Sequence, residues 1–525
     1  MKTLFINAKI WTGKNSFAES IGFDSEKGKI IFTGTKADAN NLSNEYDEII
    51  DLKKKLVLPA FTDGHIHFVE GSFENSKLDL RSARTKNDFN IAIREYQKSN
   101  GPKWISGGFF SEANFLEEIY PDKIFLDNIC RDVPVIISRF DSHSAFANSI
   151  ALEISGIISS AESFTSDEII RDSDGNFTGE LKERARVFVM DKIPAASLNE
   201  RTSIVTEQMR KLHSQGITSI SDITLAEDLE VYKELIRQNM LFLRVDARLP
   251  FKEFYNLKNY RNEFSKLTNN IKFQSLKAFY DGSLSSRTAL MHSNYKNADH
   301  IGIKTEFVIS GEFEKMAYEI DKAGLQMSVH AIGDKAVTEL LDLNEELIMK
   351  NGIRDRRFRI EHAQHIMESD FSRFKELEVI ASVQPSHLFS DAKTASEILD
   401  DYSIEHNYKK LFDIGAKVCF GTDFPIVGEN PFETIYYAMT RKGLGFENGF
   451  VTENIISFND CLEAYTINNA YATYDETERG SLKAGKAADI IVLEDDLFEM
   501  TGDEIKNAKV YETYFEGEKV YSNLQ

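Results

Sequence analysis

The chain opens and closes with short alternating runs. Leu4 to Trp11, Ile21 to Phe23, Lys29 to Phe32 and Glu48 to Leu52 are β-rich and bounded by Gly, Asn, Asp or Lys. Ala488 to Leu493 and Val510 to Phe515 repeat the pattern at the other end, and Phe515-Glu516-Gly517-Glu518-Lys519-Val520 reads as a hairpin. Neither piece is large enough to hold a core by itself. Residues 1–56 and 474–525 are therefore expected to pair into one small β-sandwich.

The centre, 57–473, has another rhythm. Eight short apolar runs, Val57–Phe61, Ile217–Ile220, Leu241–Val245, Phe273–Phe279, Gln326–Val329, Phe358–Ile360, Val379–Val383 and Lys417–Phe420, alternate with amphipathic stretches such as Glu312–Lys322 and Lys335–Ile348. Strand and helix in alternation imply a parallel sheet. Eight repeats imply an α/β fold of the closed (β/α)8 TIM-barrel type. About 150 residues separate the first two runs, far more than one helix needs, so an insertion is expected over about 75–195. It has strands of its own at Trp104–Phe110 and Val133–Ser138.

The 525 residues carry a formal net charge of −22. Such a surface repels nucleic acid and anionic membranes, so neither is an expected partner. No run approaches the roughly 20 apolar residues of a membrane span. Cys130, Cys419 and Cys461 are too few, and odd in number, for a disulfide framework. The first residues alternate like a strand and lack a signal layout. The expectation is a cytoplasmic protein acting on a small molecule, with a homodimer left open.

The chemistry concentrates at the ends of the apolar runs. Asp63-Gly64-His65-Ile66-His67 follows the first; alternate residues face one way, so His65 and His67 point to the barrel axis at its carboxyl rim. His330 ends the fifth run, His362 the sixth, and Asp423 follows the eighth. Four histidines and an aspartate in the same phase suit a divalent metal better than scattered core histidines do. Lys277 lies on the fourth, otherwise apolar, run. A buried lysine is costly unless paired or neutral. Beside two metal ions its amine would be neutral and open to carboxylation by carbon dioxide, giving a bridging carbamate; a plain salt bridge to Asp281 is the alternative.

In this order His65-x-His67, Lys277, His330, His362 and Asp423 resemble the amidohydrolase superfamily of metal-dependent hydrolases. Gly480 through Leu493 resembles the stretch in which those chains return to their β-sandwich. Asp281-Gly282-Ser283-Leu284-Ser285-Ser286-Arg287-Thr288-Ala289, Val329 through Ala336, Ser382-Val383-Gln384-Pro385-Ser386-His387 and Ala464 through Ala470 are similar to the branch of N-substituted formamide deformylases and YtcJ-like proteins. In the insertion, Asp141 through Asn148 and Thr178 through Leu181 look like that branch too. Gly107-Gly108-Phe109-Phe110-Ser111-Glu112 departs from it, since relatives usually carry Trp and an Asp-Glu pair there.

The resemblance implies two divalent metals, zinc by preference: one on His65, His67 and Asp423, the other on His330 and His362, with carboxylated Lys277 and a hydroxide between them. Asp423 would pass a proton to the leaving nitrogen. The implied activity is hydrolysis of a non-peptide carbon–nitrogen bond in a small amide or N-substituted formamide. His143, on the insertion, is the candidate for holding a substrate carbonyl or polar group. Arg287 is the candidate for an anionic one. His213, His300 and His406 sit in polar surroundings and read as surface. His292 and His387 follow motif loops and could reach the site, with no role assigned to either. Two alternatives stand beside this: a mononuclear deaminase of the same superfamily, which needs no lysine on the fourth strand, and a non-catalytic small-molecule-binding descendant.

Overall fold

The computed structural model describes residues 1–101, 103–139 and 143–524. It comprises two compact units, Met1–Val69 with Val205–Gln525, and Glu70–Ile204. Among the described residues no helix is long and apolar enough to cross a membrane.

In the larger unit the apolar runs become parallel strands. One sheet has the order Ile271–Lys272, Arg244–Ala247, Ile217–Asp222, Phe61–Ile66. A second has the order Leu249–Pro250, Ser275–Phe279, Gln326–Ala331, Arg359–His362, Ile380–Val383, Lys417–Phe420. Two stretches of chain serve both sheets. Arg248 separates Arg244–Ala247 from Leu249–Pro250, and Phe273-Gln274 separate Ile271–Lys272 from Ser275–Phe279. At the far edges the first and last strands also meet. Asp423 N donates to His65 O at 2.7 Å and His67 N to Phe424 O at 2.9 Å. Asn469 Nδ2 donates to Thr62 O (2.7 Å) and Phe420 O (2.9 Å).

Helices fill the intervals. Glu312–Lys322 buries Phe313, Ala317 and Ile320, the i, i+4, i+7 face the sequence places there. Asp334–Asn351 runs a turn beyond the expected limits and stops at Gly352, whose φ of 83° ends the helix.

The run expected as the first barrel strand, Val57–Phe61, divides. Leu56–Pro59 lies between Lys9–Gly13 and Ile490–Leu493 in the sheet of the termini, and the strand that carries His65 is Phe61–Ile66. The reason is packing: Val57 is buried with Ile10, Ile490 and Val492. That sheet has the order Glu518–Ser522, Val510–Phe515, Ile490–Leu493, Leu56–Pro59, Lys9–Gly13, Ser16–Ala18. A second, Lys29–Gly34, Ser20–Asp24, Lys2–Ile6, Glu48–Asp51, shares its apolar core through Phe5, Ile21, Phe23 and Ile30. The hairpin read at 515–520 is present, with Glu516 and Gly517 at φ 51° and 78°, the left-handed pair a tight two-residue turn requires.

The smaller unit, Glu70–Ile204, covers the stretch read as an insertion over about 75–195, and it is a folded body. Its mixed sheet has the order Ile169–Arg171, Phe177–Lys182, Ser144–Ala147, Val135–Arg139, Ile105–Phe110, Leu78–Asp79. Alternation splits its side chains: Val135 and Ile137 join one apolar cluster with Phe89, Phe110 and Phe146, while Ile136 joins another with Leu152, Leu181 and Val189. Asp141 and Ser142, part of the motif read here, lie outside the described residues.

Candidate active site

The carboxyl ends of the parallel strands bring the candidates of the larger unit together. Ring centroids lie 6.0 Å apart for His65 and His67, 5.0 Å for His65 and His362, and 4.5 Å for His330 and His362. Asp423 Oδ1 is 3.3 Å from both His65 Nε2 and His67 Nε2. Donor atoms of His65, His362 and Asp423 all lie within 4.8 Å of one another. The backbone is left-handed at His362, Ala363 and Asp423, with φ of 71°, 42° and 62°. Such geometry costs on the order of 1–3 kcal/mol per residue and is held where surrounding structure imposes it.

The protonation states suit a cation. Burial and nearby Lys277 push His330 down to about 3, and burial with His330 drives His362 well below the usual imidazole range, so both are neutral. Burial alone would raise Asp423, but His65 and His67 hold it well below the usual carboxylate range. His330 Nε2 lies 3.1 Å from Gly282 O. A carbonyl only accepts, so that nitrogen carries the proton and Nδ1 keeps the lone pair. His362 Nδ1 is buried with no hydrogen-bond partner. Lys277 is buried, and its Nζ has none either. Burial lowers it to about 8, with Arg248 and Arg359 acting the same way against Glu361 and Asp423. Orphaned buried nitrogens beside neutral imidazoles and an ionised carboxylate fit a divalent ion, which takes those forms.

A cavity of about 400 Å³ opens on these groups. His65, His67, His330, His362, His387 and Asp423 form its polar part, with Gln364, Asp391, Ser283 and Ser285. Phe279, Leu284, Ile332 and Ile426 form the apolar part. Among the described residues no lysine or arginine lines it. A larger cleft of about 680 Å³ lies among Lys29, Arg244, Lys272, Asp475 and Glu478, but its charges are already paired: Lys29 with Glu478, Arg244 with Asp489 and Glu516, Lys272 with Asp475.

Residues 48–521 match the model of the amidohydrolase family. The chain belongs to the amidohydrolase family. Protein LONG AFTER FAR-RED 3 of Arabidopsis thaliana is 30% identical over 99% of this chain and 91% of its own. The putative amidohydrolase YtcJ of Bacillus subtilis is 26% identical over 90% of each chain. The N-substituted formamide deformylase of Arthrobacter pascens is 23% identical over 98% of this chain and 97% of its own. A crystal structure of an uncharacterized metal-dependent hydrolase from Pyrococcus furiosus superposes with a TM-score of 0.76 at 26% identity, over 94% of this chain and 99% of that one.

The two expected substrate contacts of this amidohydrolase stand differently from its metal candidates. Arg287 does not line the cavity among the described residues, although Ser283, Leu284 and Ser285 of the same loop do. His143 belongs to the smaller unit, where its exposed ring lies 3.3 Å from Glu183. His387, read from the sequence as able to reach the site, lines it, as do Gln364 and Asp391, which that reading does not single out. His387 Nε2 is buried without a hydrogen-bond partner, 3.7 Å from Asp423 Oδ2. Gln364 donates to Asp391 (3.0 Å) and Glu405 (2.8 Å). His365 is fully buried, with Nδ1 2.7 Å from Ile332 O and Nε2 2.6 Å from Glu405. His213 and His406, read as surface, are buried, His213 against Phe242 O and His406 against Glu405. Their polar sequence neighbours gave no sign of this, because each is covered by elements distant along the chain. Glu361 was the least visible: it stands inside a motif read for His362 alone.

Proposed function

We propose that this amidohydrolase hydrolyses a non-peptide carbon–nitrogen bond in a small amide, an N-substituted formamide being the first class to try. The convergence of His65, His67, His330, His362 and Asp423 on one cavity, with Lys277 buried and without a hydrogen-bond partner, carries the reading. His65, His67 and Asp423 would hold one divalent ion and His330 and His362 a second, with Lys277 in its carboxylated form between them. Divalent ions, zinc by preference for this donor set, supply Lewis acidity and lower the pKa of water to about 7. Asp423 is the proton carrier: ionised and within reach of the cavity, it accepts a proton from the attacking water and returns it to the leaving nitrogen at its Oδ atoms. An amide needs that return, because an amine anion is a poor leaving group. The apolar wall of Phe279, Leu284, Ile332 and Ile426 excludes water around the substituent.

Cavity charge narrows the substrate. With Asp391 on the wall and no lysine or arginine among its described residues, the site suits a neutral or cationic N-substituent better than an anionic one. The bonds that join the first and last parallel strands support a closed (β/α)8 barrel carrying this site, with the two sheets of the termini as its flanking sandwich. We place the activity in the cytoplasm, on a small molecule, because three cysteines make no disulfide framework, and without nucleic-acid or membrane partners, because of the net charge of −22. A homodimer is compatible with it.

The test is metal content and intact mass of the full chain at near-neutral pH with bicarbonate. About two metals per chain, a carbon dioxide adduct on Lys277, and loss of both on Lys277→Ala are expected, with turnover of formamides. The compact group of His65, His362 and Asp423 favours a second reading with one ion. One metal per chain that survives Lys277→Ala would move the mononuclear deaminase forward. No metal after reconstitution would favour the non-catalytic binder.

A further inference from the structure

We infer that Glu361, clamped by Arg248 and Arg359, is the positioning residue that fixes the tautomer and orientation of His65, and so decides which nitrogen His65 offers to the cavity. Its consequence for a metal rests on the reading above; its geometry does not.

Glu361 is fully buried on the sixth parallel strand. Its two oxygens are used differently. Oε1 accepts from Arg248 Nη1 (3.1 Å), Arg359 Nε (2.9 Å) and Ser328 Oγ (2.5 Å). Oε2 lies 2.6 Å from His65 Nδ1. A salt bridge that served only to neutralise two arginines has no need to turn one oxygen to an imidazole. The same two guanidiniums also donate to Gly64 O, Arg248 at 3.3 Å and Arg359 at 2.9 Å. The peptide that precedes His65 and the ring of His65 are thus held by one set of side chains.

The tautomer follows from the donor inventory. An ionised carboxylate only accepts, so Nδ1 of His65 carries a hydrogen towards Glu361, and Nε2 is the nitrogen left to give its lone pair to an ion. Nε2 is the atom that lies 3.3 Å from Asp423 Oδ1, on the cavity side. A carboxylate behind a ligating histidine fixes ring orientation and raises its basicity, and its loss typically lowers metal affinity about 10–100-fold. Glutamine is the informative replacement. Its carbonyl is drawn to the arginines, which leaves its NH2 facing Nδ1. That imposes the opposite tautomer, with the lone pair turned from the cavity.

The experiment uses the full chain with cobalt(II) as the probe. Glu361→Gln should weaken cobalt binding, measured by chelator competition, by about 10–100-fold and shift the visible bands. Ser328→Ala removes an Oε1 donor without touching His65; it should lower the melting temperature but leave cobalt affinity within about twofold and the bands in place. On metal-free protein labelled with 15N-histidine, the signal lost in His65→Asn should show Nδ1 protonated, and Glu361→Gln should move the proton to Nε2. Cobalt affinity and bands unchanged in Glu361→Gln would overturn the inference. So would a wild-type His65 with no proton on Nδ1, a measurement that stands even if Glu361→Gln does not fold. If the wild type binds no cobalt, the metal reading fails, and the ring signal alone decides whether Glu361 sets the tautomer.

Discussion

Asp281→Asn should cost far more than its one-atom change suggests. The carboxylate is buried in the loop after the fourth strand and ties it to the loop that follows His330. Oδ1 accepts from Ile332 N at 3.0 Å, and Oδ2 from Leu290 N at 2.8 Å and Gly333 N at 2.9 Å. The loops are too close to relax: a Cβ on Gly333 would lie 2.0 Å from Leu290 O. Asparagine has one acceptor oxygen, so at best the two Oδ2 bonds survive in weaker, neutral form. The amide NH2 then faces Ile332 N, and a buried donor loses its partner. An orphaned buried donor costs about 1–3 kcal/mol, and two charge-assisted bonds made neutral add about 1 kcal/mol each, so the bonds lost amount to about 3–5 kcal/mol. Burial pushes the Asp281 carboxyl up to about 7 despite its three N–H partners, so at pH 8, where the carboxylate is ionised, the neutral amide recovers part of the cost of burying the charge and the net loss is smaller than the bonds alone give. The assay is urea unfolding of the metal-free chain followed by circular dichroism. A loss below about 0.5 kcal/mol at pH 8 would refute the reasoning, because it would mean the three bonds do not hold the loops.

Other consequences can be read more directly. His213, buried with Nε2 2.8 Å from Phe242 O, is pushed down to about 4 by burial, below the 6.5 of an unfolded histidine. Its contribution, roughly 3 kcal/mol at most, is present above pH 6.5 and lost as pH falls towards 4, so His213→Gln should flatten the stability profile in that window; parallel profiles for variant and wild type would dismiss it. Asp391→Asn should abolish a preference of about tenfold or more in kcat/KM for an N-formyl diamine over its neutral isostere. A preference that survives the change would place cation recognition elsewhere. Gly64→Ala puts a Cβ 2.4 Å from Asn469 Oδ1 and 2.7 Å from Phe420 O, across the junction of first and last strands. It should destabilise the chain by about 1–3 kcal/mol and lower bound metal, whereas a wild-type melting curve and metal content would count against that junction.

How far the sequence could be read depends on where each side chain finds its partners. The strand-end histidines and Asp423 were legible because they share a phase, each after an apolar run that repeats the same unit. Lys277 stood out as the charged residue in Phe273–Phe279. The terminal pieces announced themselves by alternation, yet the boundary at Val57 did not. An apolar run fits either sheet equally well, and only the partners Lys9–Gly13 and Ile490–Leu493 decide between them.

The polar interior was the part that could not be read. Arg359 and Glu361 share the strand Arg359–His362, Arg248 joins Arg244–Ala247 to Leu249–Pro250, and all three are fully buried, yet each looks in sequence like a solvated residue. Their burial is intelligible only together: Glu361 meets both guanidiniums, and Asp246 Oδ2 takes Arg248 Nε at 3.0 Å. Removing one member leaves a buried charge uncompensated, a loss of several kcal/mol, whereas removing a surface pair costs almost nothing. A site that must present one nitrogen of His65 in a fixed direction needs support that does not relax, and such support comes from residues paired across the interior. Pattern along the chain therefore reveals the groups that face the cavity, while the groups that aim them are visible only in three dimensions.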